Sequence, residues 1–172
     1  MKIHYRMQEN ENGLVPNPLR ENISKRLEIE RSLRQLTRKD FVDLLRQDAP
    51  QQRFSYGTYI KTVNCVNNIT LRSLEHISQT LKVSIGELLH GDQTAPKWIK
   101  SLNSHDLRLL FAVQSEKARE DMGLPKVAFA KFLGIAEVTY GKITDKRSNF
   151  TVDTIAIIAF GIDKDPLEFL FY

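Results

Sequence analysis

Apolar residues along the chain recur at helical spacing. Leu19, Ile23 and Leu27 return every four residues, which puts them on one face of a helix. Asn17-Pro18 just ahead of them offers a cap and a proline at the first helical position. Thr37, with Asp40 three residues on, opens a second helix whose apolar stripe is Phe41, Leu44 and Leu45. Ser55 can cap a third. Thr70 opens a fourth, striped by Leu71, Leu74, Ile77 and Leu81, and Ser84-x-x-Glu87 has the form of a capping box for a fifth that Gly91 ends. No stretch sustains period-two alternation, so the pattern predicts an all-α fold.

The same series then starts again. Ser104 caps a helix that Gly123 ends, and the next helix carries Val127, Phe129, Ala130, Phe132 and Leu133. Tyr140 and Ile143 anchor a third, Thr151 caps a fourth, and Asp165-Pro166-Leu167-Glu168 sets cap, proline and N3 glutamate in register for a fifth. Leu36–Leu45 aligns with Leu124–Leu133 at an offset of 88, which Arg31 and Arg119 share. Ser55–Lys61 aligns with Ala136–Lys142 at an offset of 81, and that register runs on through Asn68-Ile69-Thr70-Leu71 against Asn149-Phe150-Thr151-Val152. The first copy therefore carries seven extra residues between Arg46 and Phe54. An internal repeat of this kind defines the organisation of the chain. It gives an N-terminal arm over 1–16, a first domain over 17–91, a linker over 92–103 and a second domain over 104–172. Trp98, Ile99 and Leu102 need a surface to cover, so the linker is expected to be a short packed helix starting at Pro96.

Composition narrows the function. The longest apolar run, Ile155 to Phe160, is far below the ~20 residues of a membrane helix, and Met1–Arg6 lacks the apolar core of a signal peptide. A cytoplasmic protein with no membrane partner is expected. The single cysteine, Cys65, excludes an internal disulfide or a multi-cysteine zinc site. His4, His76, His90 and His105 show no ligand spacing, and no Gly-rich phosphate loop or nucleophile elbow appears. Neither an enzyme nor a cofactor is expected. The net charge of +4, divided as +3 before the Gln93/Thr94 boundary and +1 after it, leans gently toward a polyanion.

Residues 124–143, Leu-Pro-Lys-Val-Ala-Phe-Ala-Lys-Phe-Leu-Gly-Ile-Ala-Glu-Val-Thr-Tyr-Gly-Lys-Ile, resemble the helix-turn-helix of the Xre/Cro-type, lambda-repressor-like family. The second copy matches that family's pattern over five helices. The first lacks the turn glycine, Gly134 in the second copy, and carries the seven extra residues. The resemblance implies two helix-turn-helix domains in tandem. In each, the second helix of the motif would enter a major groove ~12 Å wide. It places Arg38 and Lys126 on phosphate, and Tyr56, Gly57 and Lys61, then Glu137, Val138 and Lys142, at the reading positions. Ser55 and Thr58 complete the first copy's set, and Gln51, Gln52 and Arg53 of the insertion should protrude toward the DNA backbone or an adjacent groove. The family's arginine-to-carboxylate pair keeps Arg31 and Arg119. Its acid is missing at Val63 and Thr144, where Asn64 or Asp145 could substitute. In the first copy the apolar pair of the third helix is either Tyr59 with Thr62 or Ile60 with Val63.

The expectation is a sequence-specific regulator of transcription, most simply a repressor of the phage or mobile-element kind. Its partners would be a double-stranded DNA operator, a second copy of itself and, for control, a protein antirepressor. The alternative is an interaction protein or antitoxin whose helix-turn-helix surfaces dock onto protein. Phe169, Phe171 and Tyr172 crowd the last helix and are expected to be exposed as a homodimer contact, unless the Trp98 linker folds back over them.

Overall fold

The computed structural model of the chain describes residues 16–47, 54–91 and 94–172. Regular structure among them is helical: α1 (Pro18–Leu33), α2 (Arg38–Gln47), α3 (Tyr56–Val63), α4 (Leu71–Leu81), α5 (Ile85–His90), α6 (Lys97–Lys100), α7 (Ser104–Asp121), α8 (Lys126–Leu133), α9 (Glu137–Thr144), α10 (Val152–Gly161) and α11 (Pro166–Phe171). The expected caps hold at most starts. Asn17, Ser55, Thr70, Thr151 and Asp165 accept backbone N–H bonds, and Ser84 with Glu87 closes a capping box. At α7 the cap is Asn103 instead of Ser104. The Asn103 amide oxygen accepts from His105 N at 2.8 Å and Asp106 N at 3.0 Å, while the Ser104 hydroxyl donates to Glu75 at 2.6 Å. The expected linker helix is α6, with Ile99 buried and Trp98 partly exposed.

The repeat is spatial as well as sequential. The bounds of α3 and α5 recur in α9 and α11 after 81 residues. So do two left-handed positions, Cys65 with Lys146 and Lys82 with Asp163, and Gln35 recurs as Gly123 after 88. Only one of these six is glycine, so residue type alone hides the match.

The halves meet at the segments entering α4 and α10. Thr70 and Thr151 form an antiparallel bridge, with Leu71 N donating to Phe150 O at 2.8 Å and Val152 N to Ile69 O at 3.0 Å. Arg72 N donates to the Asn149 side chain at 2.9 Å, and Asp153 N to the Asn68 side chain at 3.2 Å. Every member of this set maps onto another at an offset of 81, so the seam has a local two-fold. The same exchange appears further out, where α11 packs on α1 and α5 packs on α7. One ion pair breaks the symmetry. Arg20, 5% exposed, pairs with Asp153, and Asn17 donates to Val152 O at 3.2 Å. The matching positions hold Arg108 and Arg72, and no ion pair forms between them.

The C-terminus departs from expectation. Phe169 and Phe171 are 2% and 5% exposed, and only Tyr172 faces solvent, at 74%. Phe171 lies edge-on to Trp98 at 6.0 Å, and Phe169 to Phe111 at 6.2 Å. The linker helix has folded back, as the alternative allowed. Trp98 covers Phe171 and Phe111 of the same half covers Phe169, so neither is exposed as the expected dimer contact. Val127 and Phe132 differ in the other direction: they are exposed because α8 buries the single stripe Phe129, Ala130 and Leu133.

Three variants test this packing. Phe169→Ser should lower the thermal midpoint by many degrees, since it buries a hydroxyl and opens a cavity worth several kcal/mol, of order 3–5, and should leave the sedimentation coefficient of the folded fraction unchanged. Gly86→Ala should be severely destabilising, because its Cβ would stand 1.9 Å from the Ile99 carbonyl oxygen. Gly57→Ala, whose Cβ meets nothing nearer than Ser55 Oγ at 3.7 Å, should instead stabilise α3 by ~0.5–1 kcal/mol. A calorimetric scan of the variants checks all three.

Candidate nucleic-acid interface

In each half a short helix is wedged into place by one tyrosine. Tyr59 in α3 and Tyr140 in α9 are fully buried. Each ring lies edge-on to a phenylalanine of the preceding helix, Phe41 at 5.8 Å and Phe129 at 5.3 Å. This settles the apolar pair of α3 as Tyr59 with Thr62; Ile60 and Val63 are only half-buried. The turn into α9 passes through Gly134 at φ 69°, a left-handed angle that glycine adopts without cost. Ile135 half-fills and Phe54 fills the pocket beside each turn.

Both tyrosine hydroxyls donate to a carboxylate on the first helix of their half. Tyr59 donates to Glu28, and Tyr140 to Glu116 at 2.6 Å. The same glutamates pair with Arg31 at 3.0 Å and Arg119 at 3.1 Å. Those arginines donate in turn to the carbonyls of Leu36 at 2.9 Å and Leu124 at 2.8 Å. The cations at the start of the second helices complete the ring, with Arg38 3.7 Å from Glu28 and Lys126 3.8 Å from Glu116. We call this arrangement the clasp. It corrects the expected partners of Arg31 and Arg119: the acid lies three residues earlier on the same helix, not at Asn64 or Asp145. Asn64 ends α3, and Asp145 pairs with Arg147 at 2.6 Å. Glu28 and Glu116 were missed in the sequence although they share the offset of 88 with the arginines.

Burial alone would raise the Glu28 and Glu116 carboxyls. Hydrogen bonds from Arg31 and Tyr59, or Arg119 and Tyr140, and the charges of Arg38 or Lys126 outweigh it and hold both below their ordinary value. Burial, then the facing carboxylate, pushes the Tyr59 and Tyr140 phenols well above theirs. The clasp is thus ionised at neutral pH, with both tyrosines as donors. It fixes the third helix to the first and leaves the start of the third helix facing solvent.

What faces solvent there differs between halves. In the first, Ser55, Tyr56, Gly57 and Lys61 are exposed and Thr58 is half-buried, with Arg38, Lys39 and Arg46 exposed on α2. In the second, Glu137, Val138, Thr139 and Lys142 are exposed, with Lys126, Lys131, Lys146 and Arg147 around them. Lys61 and Lys142 enter no ion pair with the described residues. Arg38 and Lys126 are each half-exposed while leaning on the clasp, so their charged ends remain open to solvent. Gln51, Gln52 and Arg53 lie outside the described residues. No helix among the described residues is long and apolar enough to cross a membrane. Comparison of the chain with protein-family models, curated proteins and solved structures gives no match.

The clasp makes a pH prediction. A carboxyl held below its ordinary value stabilises the fold above that value and loses the contribution as it protonates. Glu116→Gln should therefore lower stability at neutral pH, and the gap from the parent protein should close as pH falls below about 4.5, the ordinary value. Urea titrations across that range check it, and a gap that stays constant into acid would show that the charge of Glu116 is irrelevant.

Proposed function

We propose that the chain is a cytoplasmic, double-stranded DNA-binding regulator of transcription, a repressor in its simplest form, with α2–α3 and α8–α9 serving as two helix-turn-helix modules of the Xre/Cro kind. The observation that carries this reading is the repeated presentation of a helix start. In both halves a buried tyrosine clasps the third helix to the first, so the exposed first turn is rigid and flanked by cations. A rigid helix start with a lysine one turn further in suits the floor and walls of a major groove. Lys61 and Lys142 can donate to guanine or phosphate, Tyr56 can hydrogen-bond or stack, Glu137 can accept from cytosine, and Val138 can meet a thymine methyl. Arg38 and Lys126, released from partial pairing with the clasp, can take phosphates on either side.

One observation favours a second reading. Val127, Phe132 and Val138 are each more than half exposed, and Glu137 among them repels phosphate. A protein partner, as for an antitoxin or an adaptor, would find the second half's face the better surface. The two readings differ in salt response, because phosphate contacts release counterions and apolar docking does not.

The test is selection from a random-sequence duplex pool, followed by affinity measurements over a range of salt. Enrichment of one motif, with affinity falling steeply as salt rises, is the expected result. On the enriched duplex, Tyr56→Ala should cost ~1–3 kcal/mol and broaden the preference at the bases it faces. Arg38→Ala should weaken all sequences alike and reduce the salt slope by about one. The first half, with its larger net charge, should lose more from Tyr56→Ala and Lys61→Ala than the second from Glu137→Ala and Lys142→Ala. No enriched motif, or binding indifferent to salt, would overturn the DNA reading.

A further inference from the structure

We infer that a single chain occupies a complete two-part DNA site, with its own two halves standing where two subunits of a dimer would, and that the two parts of the site are unlike in sequence. This rests on the DNA reading above and adds the stoichiometry and the form of the site.

The seam carries the first part of the argument. The reciprocal bonds between residues 68–72 and 149–153 give the halves a local two-fold. A two-fold operation carries α3 onto α9 and so holds the two exposed helix starts at equal height along its axis. Both helices stand equally far along the chain from that axis: six residues separate Val63 from Thr70 and six separate Thr144 from Thr151. Neither segment is extended: Val66 N donates back to Lys61 O at 2.9 Å and Arg147 N to Lys142 O at 3.0 Å, so packing fixes where each helix stands. A pair of helix starts related by a two-fold is the arrangement that meets two half-sites of DNA in inverted relation. A protein that recognises two half-sites through two free subunits must first associate. Here the association is covalent and packed: the seam buries Ile69, Leu71, Phe150 and Val152, and the Arg20–Asp153 pair closes one side of it.

The C-terminal helix carries the second part. Phe169 and Phe171, the residues best suited to hold a second copy, are consumed inside the chain against Phe111 and Trp98. Helix α11 packs on α1 of the other half, so the surface a partner's last helix would use is already covered from within.

The reading positions carry the third part. At the offset of 81, Lys61 matches Lys142 and Thr58 matches Thr139, but Tyr56 faces Glu137 and Gly57 faces Val138. A phenol and a carboxylate ask opposite things of a base edge, one able to donate and the other only to accept. The two parts of the site should share the base pairs met by the lysines and differ at those met by the first turn.

The experiment uses the full chain and a random-sequence pool of duplexes of about 40 base pairs, long enough for two sites one turn apart. The bound complexes are weighed by sedimentation and the recovered duplexes sequenced. One chain per duplex is expected, on a motif of two parts with an imperfect inverted relation. Scrambling either part should weaken binding at least about tenfold. The variant Tyr56→Glu with Gly57→Val gives the first half the second half's first turn. A Cβ at position 57 meets nothing nearer than Ser55 Oγ at 3.7 Å, and circular dichroism checks the fold before use. Its selected motif should become a symmetric inverted repeat, still at one chain per duplex. Two chains on a perfect palindrome, or one chain on a single undivided site, would overturn this inference and leave the DNA reading standing. A variant whose motif keeps the parental asymmetry would overturn it as well. Failure of the parent to enrich any motif would overturn the DNA reading, and this inference with it.

Discussion

Backbone groups taken out of water have to be paired, and the segments that enter α4 and α10 are the place where this requirement is hardest to meet. Ile69, Leu71, Phe150 and Val152 are buried, so the chain there cannot turn its N–H and C=O groups to solvent. Neither segment can satisfy itself, because the first N–H groups of a helix have no intrahelical partner. Each half supplies what the other lacks. Leu71 and Val152 donate across the seam to Phe150 and Ile69, while Asn68 and Asn149 accept the next N–H along. Each such bond is worth only about 1 kcal/mol net, whereas leaving one of these N–H groups buried and unpaired would cost ~1–3 kcal/mol, so the seam holds its register. The seam bonds tie together the same Asn-x-Thr triplets that stand out as repeated in the sequence.

The second constraint is the clasp, and it divides labour with the seam. The seam fixes half against half; the clasp fixes the third helix against the first within each half. Its chemistry is economical because one carboxylate serves three donors. Glu116 accepts from Tyr140 and Arg119 and leans on Lys126, and Glu28 does the same with Tyr59, Arg31 and Arg38. A helix of eight residues is too short to persist alone in water. Its shape and position come from the tyrosine driven into the core and the charge that holds the hydroxyl.

The sequence makes the helices and their caps legible because those signals are local. Thr70, Ser84, Thr151 and Asp165 act within four residues of themselves. The repeat was legible too, through Thr-Tyr-x-Lys and Asn-x-Thr. Three things were not. The cover of Phe171 comes from Trp98, which lies more than seventy residues away and meets it only in space. Phe169 is covered within its own half by Phe111, a contact between helices that periodicity along α11 does not mark. The acid of the clasp sits on the same helix as its arginine, where a surface i,i+3 pair is an ordinary sight, and nothing local marks Glu28 or Glu116 as the anchor of a tyrosine far along the chain. The left-handed positions Gln35, Cys65, Lys82, Lys146 and Asp163 escaped because none is glycine. As to the candidate site, Tyr56, Gly57, Lys61, Glu137, Val138 and Lys142 are exposed and Thr58 is half-buried, whereas Gln51, Gln52 and Arg53 lie outside the described residues.

Where the two copies agree and where they differ follows from these constraints. Five of the shared pairs, Tyr59 with Tyr140, Glu28 with Glu116, Arg31 with Arg119, Asn68 with Asn149 and Thr70 with Thr151, belong to the clasp or the seam. Each makes a directed bond to a fixed partner, so a change in one copy breaks geometry in that copy. The differing residues, Tyr56 with Glu137 and Gly57 with Val138, touch little else in the chain. Nothing in the fold requires them to match, and nothing requires them to be what they are. Two copies in one chain can diverge at these positions independently, a freedom that identical subunits of a homodimer do not have, since any change there appears in both. The arrangement that locks the interior into near-symmetry is therefore the same one that leaves its two exposed helix starts free to be unlike.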